Sequence, residues 1–369
     1  MYIYQEPNWA NFYWNKEKVL ASLSKVKLTQ GLLLGRMEAL GFSLKEEAVL
    51  NVLTQDVIKS SEIEGEILDK DQVRSSIAKR LGLDIGGGIH VNRNVEGIVE
   101  MMLDATQNYE SLLTKDRLIG WHASLFPTSY SGMHKIEVGK FRDDKNGPMQ
   151  VVSGPIGKEK VHYQAPDASF LEIEMNGFID WINSQNEIDS VLKAGIAHLW
   201  FITLHPFDDG NGRIARALTD MFLARAENTN QRFYSMSAQI RNERNSYYDI
   251  LEKTQKGSLD ITDWLIWFLD CLLRAIKNTK ETLESIFNKA LFWQQFSNQI
   301  LNDRQRKVIN KLLDGVEGKL TSSKWAKLCK CSQDSANRDI LDLIEKNILI
   351  KVNLGRNTNY ILNLTSSPN

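Results

Sequence analysis

Residues 205–216 read HPFDDGNGRIAR and bring together side chains that could handle a phosphate. His205 carries the one side chain in this stretch that accepts a proton near neutral pH without a large pKa shift. Asp209 is a natural ligand for Mg²⁺, which favours one or two carboxylates plus phosphate oxygens and water. Gly210, Asn211 and Gly212 form a small-residue turn that lets a ligand approach the backbone closely. Arg213 and Arg216 lie three apart, so on a helix both guanidinium forks share one face and can grip a polyphosphate bidentately.

The flanking elements decide whether these groups converge. Upstream, Ile188, Val191, Leu192, Ile196 and Leu199 repeat at helical spacing; downstream, Ile214, Leu218, Met221 and Phe222 do the same. The loop therefore joins two helices, with His205 at the end of the first and the GNG turn at the start of the second. The first backbone N–H groups of a helix lack partners inside it, and the helix dipole is positive there. A glycine-lined turn at that end is an anion site.

The string matches HPFx(D/E)GN(G/K)RxxR at all nine specified positions, and on those residues the chain resembles the Fic-domain adenylyltransferases. The resemblance implies transfer of AMP from ATP to a protein hydroxyl. His205 would be the base, Asp209 would hold Mg²⁺, and Gly210, Asn211, Gly212, Arg213 and Arg216 would bind the phosphates.

Other stretches take their meaning beside that loop. Residues 44–66 read as a helix ending in SSEIEGE, where Ser60 and Glu64 share a face and Gly65 is placed to end the helix. The family's inhibitory motif, (S/T)xxxE(G/N), matches here, which implies that Glu64 pairs with Arg216 and withholds it from the γ-phosphate. Residues 149–164 hold two short β-prone runs around Gly-Pro-Ile-Gly and read as a hairpin. In the family this hairpin is a flap. Met149, Gln150, Val151, Val152, Ser153 and Gly154 would then dock an extended target segment by strand addition. Tyr247 and Tyr248 stand where relatives carry a tyrosine pair near the adenine. Gln255 replaces the asparagine those relatives often have seven residues on, which leaves direct adenine readout open.

An N-terminal helix is expected from Val19, Leu20, Leu23, Val26 and Leu33, with Trp9 and Trp14 as packing anchors ahead of it. The glycine-rich stretch 82–94 fits neither dinucleotide nor P-loop patterns and reads as a surface loop. Helices are expected over 95–109 and 116–126, and Trp264, Trp267 and Phe268 fall at core spacing. From 303 onward the order helix, helix, helix, strand, strand suggests a winged helix. That segment carries 12 Lys/Arg against 7 Asp/Glu, whereas the rest carries 33 against 39. Its third helix offers Arg338 and Lys346 beside Asp334, Asp339, Asp342 and Glu345, a mix that suits protein contact or weak DNA binding.

A net charge of −1 with 25% charged residues argues against coating nucleic acid or an anionic membrane over the whole surface. No apolar run reaches the length of a membrane span, and three cysteines without a ligand pattern give neither zinc site nor disulfide framework. The expectation is a mainly α, cytoplasmic protein. Residues 1–43 form an N-terminal helical segment, 44–280 a Fic-type core with inhibitory helix and flap, 281–302 a linker helix, and 303–364 a small α+β winged helix. It would take ATP as substrate with Mg²⁺ and modify a Ser, Thr or Tyr hydroxyl of a target protein or of itself. The alternatives are a nucleotide-sensing DNA-binding regulator, or a Fic enzyme that removes AMP or uses another nucleotide.

Overall fold

The computed structural model describes residues 1–83, 89–155, 157–185, 187–313, 315, 318–352 and 358–363. Residues 84–88 of the glycine-rich stretch, Ile156 of the Gly-Pro-Ile-Gly run and residues 353–357 lie outside them. Helices run α1 Lys16–Glu38, α2 Phe42–Ile63, α3 Lys70–Arg80, α4 Arg93–Gln107, α5 Lys115–Leu125, α6 Leu171–Asn183, α7 Ser190–Leu204, α8 Asn211–Glu227, α9 Met236–Asn242, α10 Arg244–Gln255 and α11 Thr262–Gln295. They continue as α12 Asp303–Leu313, α13 Ser322–Cys329 and α14 Gln333–Glu345. The strands form three antiparallel pairs: β1 Tyr130–Ser131 with β2 His134–Lys135, β3 Gln150–Ser153 with β4 Lys160–Gln164, and β5 Leu349–Val352 with β6 Asn359–Leu362. Among the described residues, no helix is long and apolar enough to cross a membrane.

Contacts divide the chain into two compact units, residues 1–38 with 46–279 and residues 39–45 with 280–369. Helix α1 lies in the larger unit, and α11 runs unbroken through 280.

The larger unit is built around α7, whose residues from Val191 to Leu204 are all buried. A helix apolar all round belongs in the middle of a protein, and α7 packs along α8, with α4 against α8 and α6 against α7. Two glycines allow close crossings. A Cβ on Gly97 would lie 1.7 Å from the Ser124 carbonyl of α5, and one on Gly195 would lie 3.0 Å from the Phe268 ring of α11, whose Trp264 donates its indole N–H to Gly195 O. Trp264 and Phe268 are core residues, and half-buried Trp267 donates to Ser246. Trp9 packs on Phe12 and Trp200 and donates to Glu174, while Trp14 is half-buried. On α1, Val19, Val26 and Leu33 are buried as the stripe requires, but Leu20 is 60% exposed. It lies one position past Val19, about 100° around the helix and off the packed face.

Most helix starts here have a side-chain cap. Asp69, Asn92, Thr114, Asp189 and Ser235 each accept a backbone N–H from the first turn that follows. α8 starts differently: its N-cap is Gly210, at φ 82°, with no side chain to cap it. α2 ends at Ile63, short of residue 66. Gly65 at φ 85° closes the helix, and Glu66 N–H returns to Ser61 O, so Glu64 sits in the closing turn.

The smaller unit buries Trp325, Val308, Ile309, Ile340, Leu343 and Leu349 in its own core. Leu320 bridges Tyr360 of β6, adding a third short segment beside the β5–β6 pair. Asp339 on α14 is buried against Arg304, which grips both its oxygens at 2.8 and 2.9 Å, and Asp342 pairs with Lys346.

Candidate active site

His205 caps the C-terminus of α7 in a left-handed conformation, φ 49° and ψ 57°, unusual for a residue with a side chain and a sign that the loop holds it there. Its Nδ1–H donates to Ile202 O at 3.3 Å, which leaves Nε2 as the acceptor. Burial lowers its pKa to about 4, so the imidazole is neutral at pH 7. Arg142, itself buried, fixes the backbone beneath: its Nε donates to His205 O at 2.8 Å, its Nη2 to Pro166 O at 2.6 Å, and its other nitrogen pairs with Asp144. Phe207 stacks on buried His122 with ring centres 4.2 Å apart, and burial holds His122 neutral with a pKa of about 4. Neither Arg142 nor His122 was legible in the sequence; only folding brings them under the loop.

Asn211 turns its side chain inward and exchanges hydrogen bonds with Phe207 N–H and C=O at 3.0 and 2.7 Å. It clamps the turn, and the residue lines the cleft. Asp209 accepts from Ser131 Oγ and from Gly210 N–H, while Asp208 accepts from Glu137 N–H. Among the described residues no group of three His, Cys, Asp or Glu side chains could hold a metal alone. Asp209 nevertheless lines the cleft with a partly exposed carboxylate. That donor set fits a Mg²⁺ whose other ligands are phosphate oxygens and water.

The two arginines are already engaged. Arg216 is 1% exposed; its Nε donates to Ser60 Oγ at 2.8 Å, and its Nη2 to Ser60 O at 2.9 Å and Glu64 Oε1 at 2.8 Å. A Cβ on Gly212 would lie 2.1 Å from Glu64 Oε1, so the carboxylate rests on the uncapped first turn of α8. Arg213 pairs with Glu66 at 2.9 Å and lies over the Phe126 ring. The motif marks only Glu64; the sequence signal for Glu66 is a second acid two residues past it, set against two arginines at 213 and 216.

A cleft of about 620 Å³ opens in front of the loop. Its lining joins Glu64, His205, Asp209, Gly210, Asn211 and Gly212 to Tyr247, Tyr248 and Gln255 and to flap residues 149–153. Neither Arg213 nor Arg216 is part of that lining. Tyr247 is buried, its hydroxyl bonded to His198 Nε2 at 2.8 Å, whereas Tyr248 is 38% exposed. Gln255 donates to Thr203 Oγ1 at 3.3 Å from a buried position. In the flap, Val152 faces Val161 across the pair and both are exposed; among the described residues β3 has no strand partner besides β4. Tyr163 anchors the flap from below, its hydroxyl donating to Thr203 O at 2.7 Å. Gly154, at φ 104°, begins the turn and does not line the cleft.

Parts of this chain are similar to known proteins. Residues 112–223 match the Fic/DOC family, and residues 2–83 match a domain of unknown function (DUF4172). The chain is 29% identical over 227 residues to Protein adenylyltransferase Fic of Aedes aegypti, covering 60% of this chain and 40% of that protein. Its identity to Protein adenylyltransferase Fic of Nematostella vectensis is 26% over 237 residues, covering 63% and 49%. The chain therefore spans less than half the length of these relatives. In fold it is similar to a Fic family protein from Desulfovibrio desulfuricans, with a TM-score of 0.59 at 19% identity over 96% of this chain and 98% of that one. This protein is mainly helical and carries a Fic/DOC-family domain over residues 112–223, with the HPFDDGNGRIAR loop inside it.

Proposed function

We propose that the cleft binds ATP and transfers its AMP to a hydroxyl of a protein, and that Glu64 holds the resting enzyme back. The observation that carries this reading is Glu64 itself, a carboxylate lodged on the uncapped start of α8 and bonded to Arg216. An anion already sits where the fold offers unpaired N–H groups and a guanidinium, which is the company a triphosphate needs. With Glu64 withdrawn, Arg213, Arg216 and the backbone of 210–212 hold the phosphates. Tyr247, Tyr248 and Gln255 line the same cleft and would contact the nucleoside.

The acceptor hydroxyl attacks the α-phosphorus while its proton passes to His205 Nε2. The bond from α-phosphorus to the bridging oxygen breaks, and pyrophosphate leaves. The N-terminus of α8 faces the charge that develops on the phosphoryl oxygens. Mg²⁺ held by Asp209 and phosphate oxygens would supply charge neutralisation on the polyphosphate. The exposed flap edge at 150–153 offers main-chain groups to an extended target segment, with Val152 and Val161 supplying apolar contact. Such a reaction would run in the ATP-containing cytoplasm. Nothing specific favours the DNA-binding alternative: among the described residues, the exposed face of α14 carries Arg338 against Asp334 and Glu345.

The test is incubation with α-labelled ATP and Mg²⁺ in lysate. The wild type and Glu64→Gly should label protein, and adding His205→Ala to Glu64→Gly should cut the labelling of lysate proteins at least about a hundredfold while ATP binding by calorimetry is kept. Label transferred to lysate proteins at an undiminished rate without His205 would overturn the role given to that residue.

A further inference from the structure

The flap carries a second constellation that the nucleotide chemistry above leaves unused. Ser153 Oγ lies 2.6 Å from His162 Nε2, and His162 Nδ1 lies 2.7 Å from Glu252 Oε2. Ser153 ends β3, His162 sits in β4, and Glu252 comes from α10, so three elements converge on one hydrogen-bonded chain. Glu252 also accepts from Lys256 at 2.6 Å, and these contacts lower its pKa to about 2, which keeps the carboxylate charged. A charged carboxylate on Nδ1 fixes the proton there, so the Nε2 lone pair faces the serine hydroxyl. This is the order nucleophile, base, orienting carboxylate. All three residues line the same cleft as His205, Asp209 and Gly212.

We propose that Ser153 is a nucleophile activated by His162 and Glu252, and that it accepts the nucleotidyl group, making the flap a self-modification site. The inference rests on the adenylyl-transfer reading of the cleft. In the step, Ser153 Oγ bonds to the α-phosphorus of ATP and the bond to the β-phosphate oxygen breaks. Pyrophosphate leaves, and the serine proton moves to His162 Nε2, where Glu252 balances the new charge. The product is an adenylyl ester on the strand edge that would otherwise receive a target. Self-modification and target docking then compete for one surface.

Two readouts on the full chain separate this proposal from the reading beneath it. Without ATP, a fluorophosphonate probe should label Ser153, as located by peptide mass spectrometry, and His162→Gln should lower that labelling about a hundredfold and Glu252→Gln about tenfold. With α-labelled ATP and Mg²⁺, Glu64→Gly should carry AMP on the peptide containing Ser153, and His162→Gln should reduce it by a similar factor. Glu252→Gln, a milder change at the surface, guards against misreading a folding defect at His162. If lysate proteins are labelled but Ser153 is not, the acceptor assignment fails and the transfer reading stands. If nothing takes AMP while the probe still labels Ser153, both the acceptor assignment and the transfer reading fail. Probe labelling at Ser153 that ignores both substitutions means the hydrogen-bonded chain only pins the flap to α10, and the proposal is overturned.

Discussion

Arg213 and Arg216 face the same choice of partner, and the residues after α2 supply both: Glu64 for Arg216 and Glu66 for Arg213. The two pairs differ in what else holds the arginine. Both arginines are buried and both carboxylates keep about a third of their side chains in water, but Arg216 is also held by the side chain and carbonyl of Ser60, whereas Arg213 has Glu66 and the Phe126 ring. Glu66→Gln should therefore raise the rate of labelling from α-labelled ATP only about two- to fivefold, as expected for a single ion pair with a partly solvated carboxylate, worth ~0.4–1 kcal/mol. A slower rate in that variant would mean Glu66 positions Arg213 for catalysis. The sequence displayed His205, Asp209, both arginines and Glu64, because each stands in a contiguous or closely spaced pattern. It hid Arg142, His122, Glu66 and the Ser153–His162–Glu252 chain. Their partners are distant in sequence and meet only across packed elements, where spacing carries no signal.

Helices α7 and α8 place the loop, and α4 and α5 brace them. The α4–α5 crossing depends on Gly97, where a methyl group would collide with the Ser124 carbonyl. Gly97→Ala should cost about 1–3 kcal/mol through overpacking, despite alanine's better helix propensity, and lower the urea midpoint accordingly. A midpoint unchanged or raised would mean α5 yields without cost. Helical periodicity made these elements readable in sequence to within a few residues, including α4 and α5. The end of α2 was less legible, since Gly65 in a left-handed conformation stops the helix before Glu64. That turn aims Glu64 at Gly212, a direction no helical-face argument supplies.

At the scale of the whole molecule, the loop is anchored in a core that contains titratable groups. His122 is fully buried and its pKa is lowered from 6.5 to about 4 by burial. A histidine whose folded pKa is depressed binds its proton more readily when unfolded, so it lowers stability as pH falls from about 6.5 towards 4. Between pH 7 and pH 5 this amounts to ~2 kcal/mol. His122→Phe removes the titration and keeps an aromatic ring against Phe207. The loss of unfolding free energy between pH 7 and pH 5, from urea titrations, should shrink by about 2 kcal/mol in the variant relative to the wild type. An unchanged or larger loss would show that His122 does not titrate in this way. Composition could not reveal this, because it does not say which of the six histidines are buried.

The central claim is that Glu64 and the triphosphate compete for Arg216 and for the start of α8. The most direct measurement is the rate at which α-labelled ATP with Mg²⁺ labels protein in the wild type, in Glu64→Gly and in Glu64→Gly combined with Arg216→Ala. Removing the carboxylate should raise the rate by about one to two orders of magnitude, the effect of a bias of ~1.4–3 kcal/mol between held and free states. Removing the arginine as well should abolish that gain. Equal rates in the wild type and Glu64→Gly, with no release of AMP from pre-modified protein by the wild type, would contradict the claim.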